Sequence, residues 1–311
     1  MSPIYARKSI FEDTSIWIIL AMLSHTAWGA YPVLTRYLQK SLGINTMSLS
    51  AVANSFALLL VLIFMRKRVD IRSIKPLDIL SYSVVLIVRN TVNLYAARFT
   101  YATNVQLFSL LAPIIVAIIS TLLYKEALPR HIIKTLILSL VGSLLIIFGG
   151  TKNTPNTVEN GAIQNWLGIS LSMLGGVFMA FLMLEIRRIG KKGASAETLA
   201  FYQFVALTIF MTSGSLILRE DWNPWFTLPP SGIIAYLAFV FVVLLLGTML
   251  QNYSIKHLGA PAYSTIQAIR LVSTIVFSWI ILGEGVETLF QWVGAFIVMG
   301  TITWYMTSQK K

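Results

Sequence analysis

Ten apolar blocks of roughly twenty residues follow one another along this chain, separated by short polar segments. They run at about 15–35, 47–65, 77–99, 104–124, 131–150, 166–186, 196–218, 231–253, 262–282 and 288–306. A helix of about 20 apolar residues spans the roughly 30 Å hydrocarbon core of a bilayer. Apolar residues make up 56% of the 311, and charged residues only 12%. An ordinary soluble domain carries about twice that charged fraction, so the charges cannot solvate a globular surface. Strands of a membrane barrel would alternate apolar and polar residues, and stretches such as 136–148 do not. The expected fold is an all-α membrane protein with ten transmembrane helices. No cleavage pattern follows the first block, which therefore reads as a retained helix.

The formal charge of +12 would suggest a nucleic-acid partner on a soluble chain. Here the positions of the basic residues explain it better. With the N-terminus in the cytoplasm, the inner segments hold 17 Lys and Arg and the outer segments 5. That bias sets orientation and puts both termini inside, as expected in a bacterial inner membrane. The remaining two basic residues, Arg89 and Arg270, lie within blocks. Cysteine is absent, which excludes disulfides, thiolate metal sites and a thiol nucleophile.

The two halves repeat weakly at an offset of 158. Tyr95 then meets Tyr253, Asn93 meets Gln251, Ala102 meets Ala260, Glu126 meets Glu284 and Gly142 meets Gly300. Five helices per repeat is an odd number, so the second repeat enters the membrane inverted. Inverted repeats place a substrate site near the midplane between the halves. The expected division is a cytoplasmic segment 1–14, a first five-helix repeat 15–150, an outer linker 151–165, a second five-helix repeat 166–306 and a cytoplasmic tail 307–311.

Particular residues narrow this further. Tyr95-Ala-Ala-Arg-Phe-Thr-Tyr-Ala is followed by Leu111, Ala112 and Pro113 and then by Leu122-Leu-Tyr-Lys-Glu126. The second half answers with Tyr253-Ser-Ile-Lys-His-Leu-Gly-Ala and Trp279-Ile-Ile-Leu-Gly-Glu284, and Trp28-Gly29 stands in the first block. With these motifs the chain resembles the EamA branch of the drug/metabolite transporter superfamily, from about residue 17 to 306. The resemblance implies two inverted five-helix repeats around a central cavity, and a secondary transporter of small organic metabolites such as amino acids. Leu271 stands where the first half has Pro113, a departure that argues against matching kinks in the two halves.

An arginine at mid-membrane costs at least about 2.5–3.5 kcal/mol, so Arg89 and Arg270 should face a cavity or a partner. Arg89 and Asn93 share a helix face, as do Tyr263, Gln267, Arg270 and Thr274. Two fixed cations suit a carboxylate or phosphate, and an anion carrier using both is the second transport reading. Of the two, Arg270 reads as the stronger substrate candidate; the structural alternative for either is a tie to backbone carbonyls or a buried side chain, or snorkelling to the rim. Gln106, Gln251 and Gln267, with Asn54 and Gln203, are amides that bond substrate or tie helices. Trp28 and Tyr31 are candidates for an aromatic wall, near Gly29 and Pro32 where a helix break would open a cavity.

Glu126 and Glu284 read as helix-capping carboxylates, and Gly247 as a point of close helix approach. No carboxylate lies deep in a block, so His25 is the candidate for proton coupling. No phosphate-binding loop, paired carboxylates or metal ligands are present, so ATP drive, catalysis and a cofactor are not expected. The expected partners are a small-molecule substrate, membrane lipid and, through Ser139, Gly142, Ser172 and Gly176, a second copy of the chain. A membrane scaffold or an intramembrane enzyme are weaker readings, since neither explains the repeat and the buried cations together.

Overall fold

In a computed structural model, described over residues 3–122, 131–149, 161–283 and 288–308, the chain is helical and has no strands among those residues. The first half comprises α1 (Pro3–Arg36), α2 (Thr46–Met65), α3 (Pro76–Phe99), α4 (Ala102–Ser109), α5 (Leu111–Leu122) and α6 (Ile132–Gly149). The second half comprises α7 (Gly161–Lys191), α8 (Ala196–Ile217), the short α9 (Asn223–Phe226), α10 (Pro230–Ala238), α11 (Thr248–Leu258), α12 (Ala260–Thr265), α13 (Ala268–Leu282) and α14 (Leu289–Ser308). A π-helical stretch, Phe239–Gly247, joins α10 to α11 into one rod. Glu126 and Glu284, expected as caps, lie outside the described residues.

Seven helices among the described residues are long and apolar enough to cross a membrane. The count of ten is not reached on length. The expected fourth block is divided at Leu110 between α4 and α5, and the apolar runs Ala112–Leu122 and Ile132–Gly142 are short. Large apolar side chains face outward, among them Ile63, Phe64, Leu77 and Ile234. Hydrocarbon is the solvent such an exterior suits.

The helix pairings are unchanged when the halves are exchanged. The chief contacts of α3 are with α7, and the rod ending in α11 packs on α1. Likewise α1 packs on α13 while α7 packs on α4 and α5, and α2 pairs with α8 as α6 pairs with α14. The α2–α8 pair is antiparallel, because the start of each helix meets the end of the other. Glu220, just past α8, accepts N–H bonds from Met47 (3.0 Å) and Ser48 (2.7 Å) at the start of α2. Those amides have no partner within their own helix, and a carboxylate suits the positive end of its dipole. At the opposite end Ser195 caps α8 by accepting from the Thr198 N–H (3.1 Å). It also donates to the Arg68 carbonyl (3.1 Å), while the Asp70 N–H donates to the Thr198 hydroxyl (3.0 Å).

Two prolines shape the centre. Pro32 does not break α1, which runs on to Arg36. It does lack the N–H that the Trp28 carbonyl would otherwise take, and Gln106 Nε2 on α4 fills that acceptor at 3.2 Å. Pro113 leaves the Ser109 carbonyl in the same condition, and Gln267 Nε2 donates to it at 2.6 Å. Ser109 and Gln267 are 158 residues apart, which is the repeat offset. The second half is also interrupted there, between α12 and α13, although Leu271 replaces the proline. Matching breaks are therefore present, contrary to the expectation from Leu271. In the second half the Ser264 and Thr265 hydroxyls both bond back to the Pro261 carbonyl, at 2.9 and 2.8 Å. Such bonds compete with the helix ladder and bend it.

This explanation predicts coupling between Pro113 and Gln267. Gln267→Leu should lower stability in the native background, by about 1–3 kcal/mol for an acceptor left unpaired. In a Pro113→Ala background, where residue 113 regains its N–H, the same change should cost about 1 kcal/mol less. Melting of the four detergent-purified proteins measures the cycle, and simple additivity would refute the account.

Candidate binding site

The first helix carries the site. A Cβ on Gly29 would lie 2.6 Å from the Ser273 Cβ and 2.9 Å from the Arg270 carbonyl, so only glycine lets α1 approach α13 this closely. Thr274 Oγ1 closes the contact by donating to the Gly29 carbonyl at 2.7 Å. On the other side α1 meets the rod at Gly247, whose carbonyl accepts from Ser24 Oγ at 3.0 Å. The expected close approach at Gly247 is thus observed.

Where these helices converge, Trp28 forms a platform shared by both buried arginines. The Arg89 guanidinium carbon lies 4.8 Å from the Trp28 ring centre and 5.9 Å from that of Tyr31. That of Arg270 lies 5.6 Å from Trp28. The negative ring face attracts both cations, and more strongly where water is excluded. A cavity of ≈ 20 Å³ lies here, lined by Trp28, Tyr31, Arg89, Asn93, Gln106, Ser109, Gly175 and Arg270 among others. It has room for about one water molecule. A larger cleft, ≈ 430 Å³, runs between α5 and α6 but is walled by aliphatic side chains such as Ile114, Ile118 and Leu140. The hydroxyl of Thr121 in its wall is turned back to the Ala117 carbonyl (3.0 Å), so the cleft suits a lipid chain rather than a specific ligand.

The two arginines differ in their partners. Arg270 is the more engaged: Nε donates to His25 Nδ1 (2.8 Å), and one terminal nitrogen reaches Gln251 Oε1 (3.2 Å) and the Tyr263 hydroxyl (3.3 Å). Because a guanidinium only donates, His25 Nδ1 is the acceptor. His25 Nε2 therefore carries the proton and donates to the Tyr263 carbonyl at 2.9 Å. Ser24 Oγ completes the cluster, 2.9 Å from the Tyr263 hydroxyl. Arg89 is 6% exposed, yet its Nε–H has no acceptor among the described residues. The ion pairs described among those residues lie at helix ends and involve neither arginine.

The expected site residues thus separate into two groups. Trp28, Tyr31, Arg89, Asn93, Gln106 and Arg270 come together around the cavity. Gln251, Tyr263 and Gln267 are bonded within helix contacts and do not line it, so Tyr263, Gln267 and Arg270 do not form one wall. Asn93 bonds the Arg89 carbonyl with its amide (3.0 Å), and its Oδ1 occupies the space that a Cβ on Gly175 would take, 2.6 Å away. Gly175 and Ser109 were not singled out in the sequence. The signal for Ser109 was its place four residues before Pro113; Gly175 carried none.

Closure on each side is visible. At one end the Glu220 bonds to α2 tie the halves together, and Asn45 Nδ2 donates to the Asp221 carbonyl at 2.9 Å. At the other, Asp78 pairs with Lys192 (2.7 Å) and Arg188 (3.1 Å), and Glu197 with Arg68 (3.5 Å) and the Tyr253 hydroxyl (2.6 Å).

A bundle of apolar helices around a polar, cation-bearing centre defines a multi-pass integral membrane protein. Two stretches, 15–148 and 166–307, match the model of the EamA-like transporter family. The chain belongs to that family. It is 24% identical over 213 residues to an uncharacterized transporter, YyaM, of Bacillus subtilis (strain 168). That alignment covers 66% of this chain and 65% of the relative, just under two thirds of each. A solved structure described only as "Crystal structure of protein" superposes with a TM-score of 0.73 at 12% identity, over 95% of this chain and 98% of the other. At that identity it supports the fold.

The different bonding of the two arginines predicts opposite effects on stability. Arg270→Gln strips partners from His25, Gln251 and Tyr263 and should cost at least about 2 kcal/mol. Arg89→Gln removes a buried charge without an acceptor, and should leave the melting temperature unchanged or raise it. Melting curves of the two purified variants decide the matter. Equal losses would show that Arg89 is a structural tie.

Proposed function

We propose that the protein is a secondary transporter that moves small organic metabolites, amino acids or related compounds, by alternating access around the Trp28 cavity. The observation carrying this reading is a central polar cavity closed on both sides by contacts between the two halves. The closures use equivalent ends of the paired helices α2 and α8 and lie on opposite faces. One can release while the other holds, which is what two-sided access requires. A cavity of ≈ 20 Å³ fits the closed form in such a cycle.

In this reading the bundle is two inverted five-helix repeats with ten crossings, residing in a bacterial inner membrane with both termini inside. The end bearing Arg68, Arg188 and Lys192 faces the cytoplasm, as the loop charges favour. His25 is the coupling site: a proton added at Nδ1 would turn its bond with Arg270 into a repulsion, loosening α1 from α13.

Purified protein in liposomes, offered amino acids, organic anions and cationic dyes on one side, should accumulate or exchange at least one of them. Failure across the whole panel in well-folded protein would count against the proposal. Orientation has its own check, made simple by a chain without cysteine. Asp221→Cys should react with an impermeant thiol reagent from outside cells, and Lys192→Cys only after the membrane is opened. The reverse pattern would overturn the topology.

A further inference from the structure

Resting on the transporter reading, we propose that Arg89, and not Arg270, binds the substrate, and that it takes a monoanionic group of carboxylate type against the face of Trp28. Four observations converge. Arg89 lines the central cavity, is buried, and has an Nε–H without an acceptor. Among the cavity's lining residues the buried side-chain atoms without a partner are Arg89 Nε and Trp28 Nε1, and both are N–H donors. The oxygens of Tyr31, Asn93, Gln106 and Ser109 around the cavity leave these two donors unpaired, and a ligand can bring the acceptors they lack. A carboxylate brings two oxygens with about four lone pairs, matched to the planar guanidinium fork.

The charge argues in the same direction. Two guanidiniums lie on one tryptophan ring with no carboxylate paired to either among the described residues. A cationic ligand would meet repulsion from both, and a neutral one would leave Arg89 uncompensated. Arg270 commits three of its five N–H donors to His25, Gln251 and Tyr263, whereas the Arg89 Nε–H has no acceptor among the described residues. A planar carboxylate fits the narrow space beside the flat Trp28 face better than a tetrahedral phosphate does. Asn93 borders the same space and gives one of its two amide N–H donors to the Arg89 carbonyl at 3.0 Å.

Four small probes test this by titration of tryptophan fluorescence and by thermal shift on the detergent-purified chain: benzoate, its neutral isostere benzamide, the cation benzylammonium, and inorganic phosphate. Benzoate should bind at least about tenfold more tightly than each of the others, the scale of one charge-assisted bond. Arg89→Gln should weaken benzoate by about tenfold or more while melting no lower than wild type. Arg89→Lys should recover part of the affinity, because it restores the charge without the fork. The proposal is overturned by benzoate binding Arg89→Gln as tightly as wild type, by benzamide, benzylammonium or phosphate matching benzoate, or by no benzoate binding at all. An Arg89→Gln chain that fails to fold would show a structural tie and also overturn it, and the comparison of probes on the wild type does not depend on any variant. Liposome transport decides the wider reading separately: a chain that transports unchanged with Arg89→Gln loses only this inference.

Discussion

In hydrocarbon, a backbone carbonyl that loses its helical partner has no water to turn to, and the centre of this bundle is organised around that constraint. Pro32 and Pro113 each withhold an N–H, and each opened carbonyl takes a glutamine amide from another helix. The two bonds join α1 to α4 and the end of α4 to Gln267, the residue just before α13, so the helices that form the cavity are held together through their own irregularities. Irregular backbone at membrane depth survives only where protein or a polar cavity covers it. The site and the kinks are thus one feature. Without the prolines there would be no carbonyl to tie, and without the ties those carbonyls would be left unpaired.

The electrostatics follow from the same geometry. Close packing at Gly29 and Gly247 brings Trp28 beside two guanidiniums in a space with little water. One cation is satisfied by a network reaching from α1 to α12 and spanning Ser24, His25, Gln251 and Tyr263. The other is left with the aromatic faces and an unfilled donor. A buried charge in that state weakens the folded protein, and it fits a position kept for what it can bind rather than for what it holds together. His25 links the two tasks, since its acceptor nitrogen is the partner of the satisfied arginine.

Much of this was legible in the sequence, and the remainder was not for definite physical reasons. Block length and low charge are enough to read a helical membrane bundle, and the motifs around Tyr95 and Tyr253 place it in its family. Arg89, Arg270, Asn93 and Trp28 could be selected because the cost of burying charge marks them. Their partners could not. Helical spacing gives a residue's face but not what lies across from it, and His25 and Arg270 are 245 positions apart. That is why Tyr263 and Gln267, on one stripe with Arg270, turn out to serve helix contacts. The break between α12 and α13 was hidden because hydroxyls, rather than a proline, produce it. Its first-half counterpart was visible in Pro113.

The central claim is that this closed cavity opens in turn to each side of the membrane. Ser109 borders the cavity, and its side chain bonds Gln106. In the cysteine-free chain, Ser109→Cys can be offered an impermeant maleimide from one face at a time, using right-side-out and inverted vesicles. The account predicts labelling from both faces, with a bulky reagent added first on either side suppressing reaction from the other. Labelling from one face only, or from neither, in protein that retains its fold would contradict it.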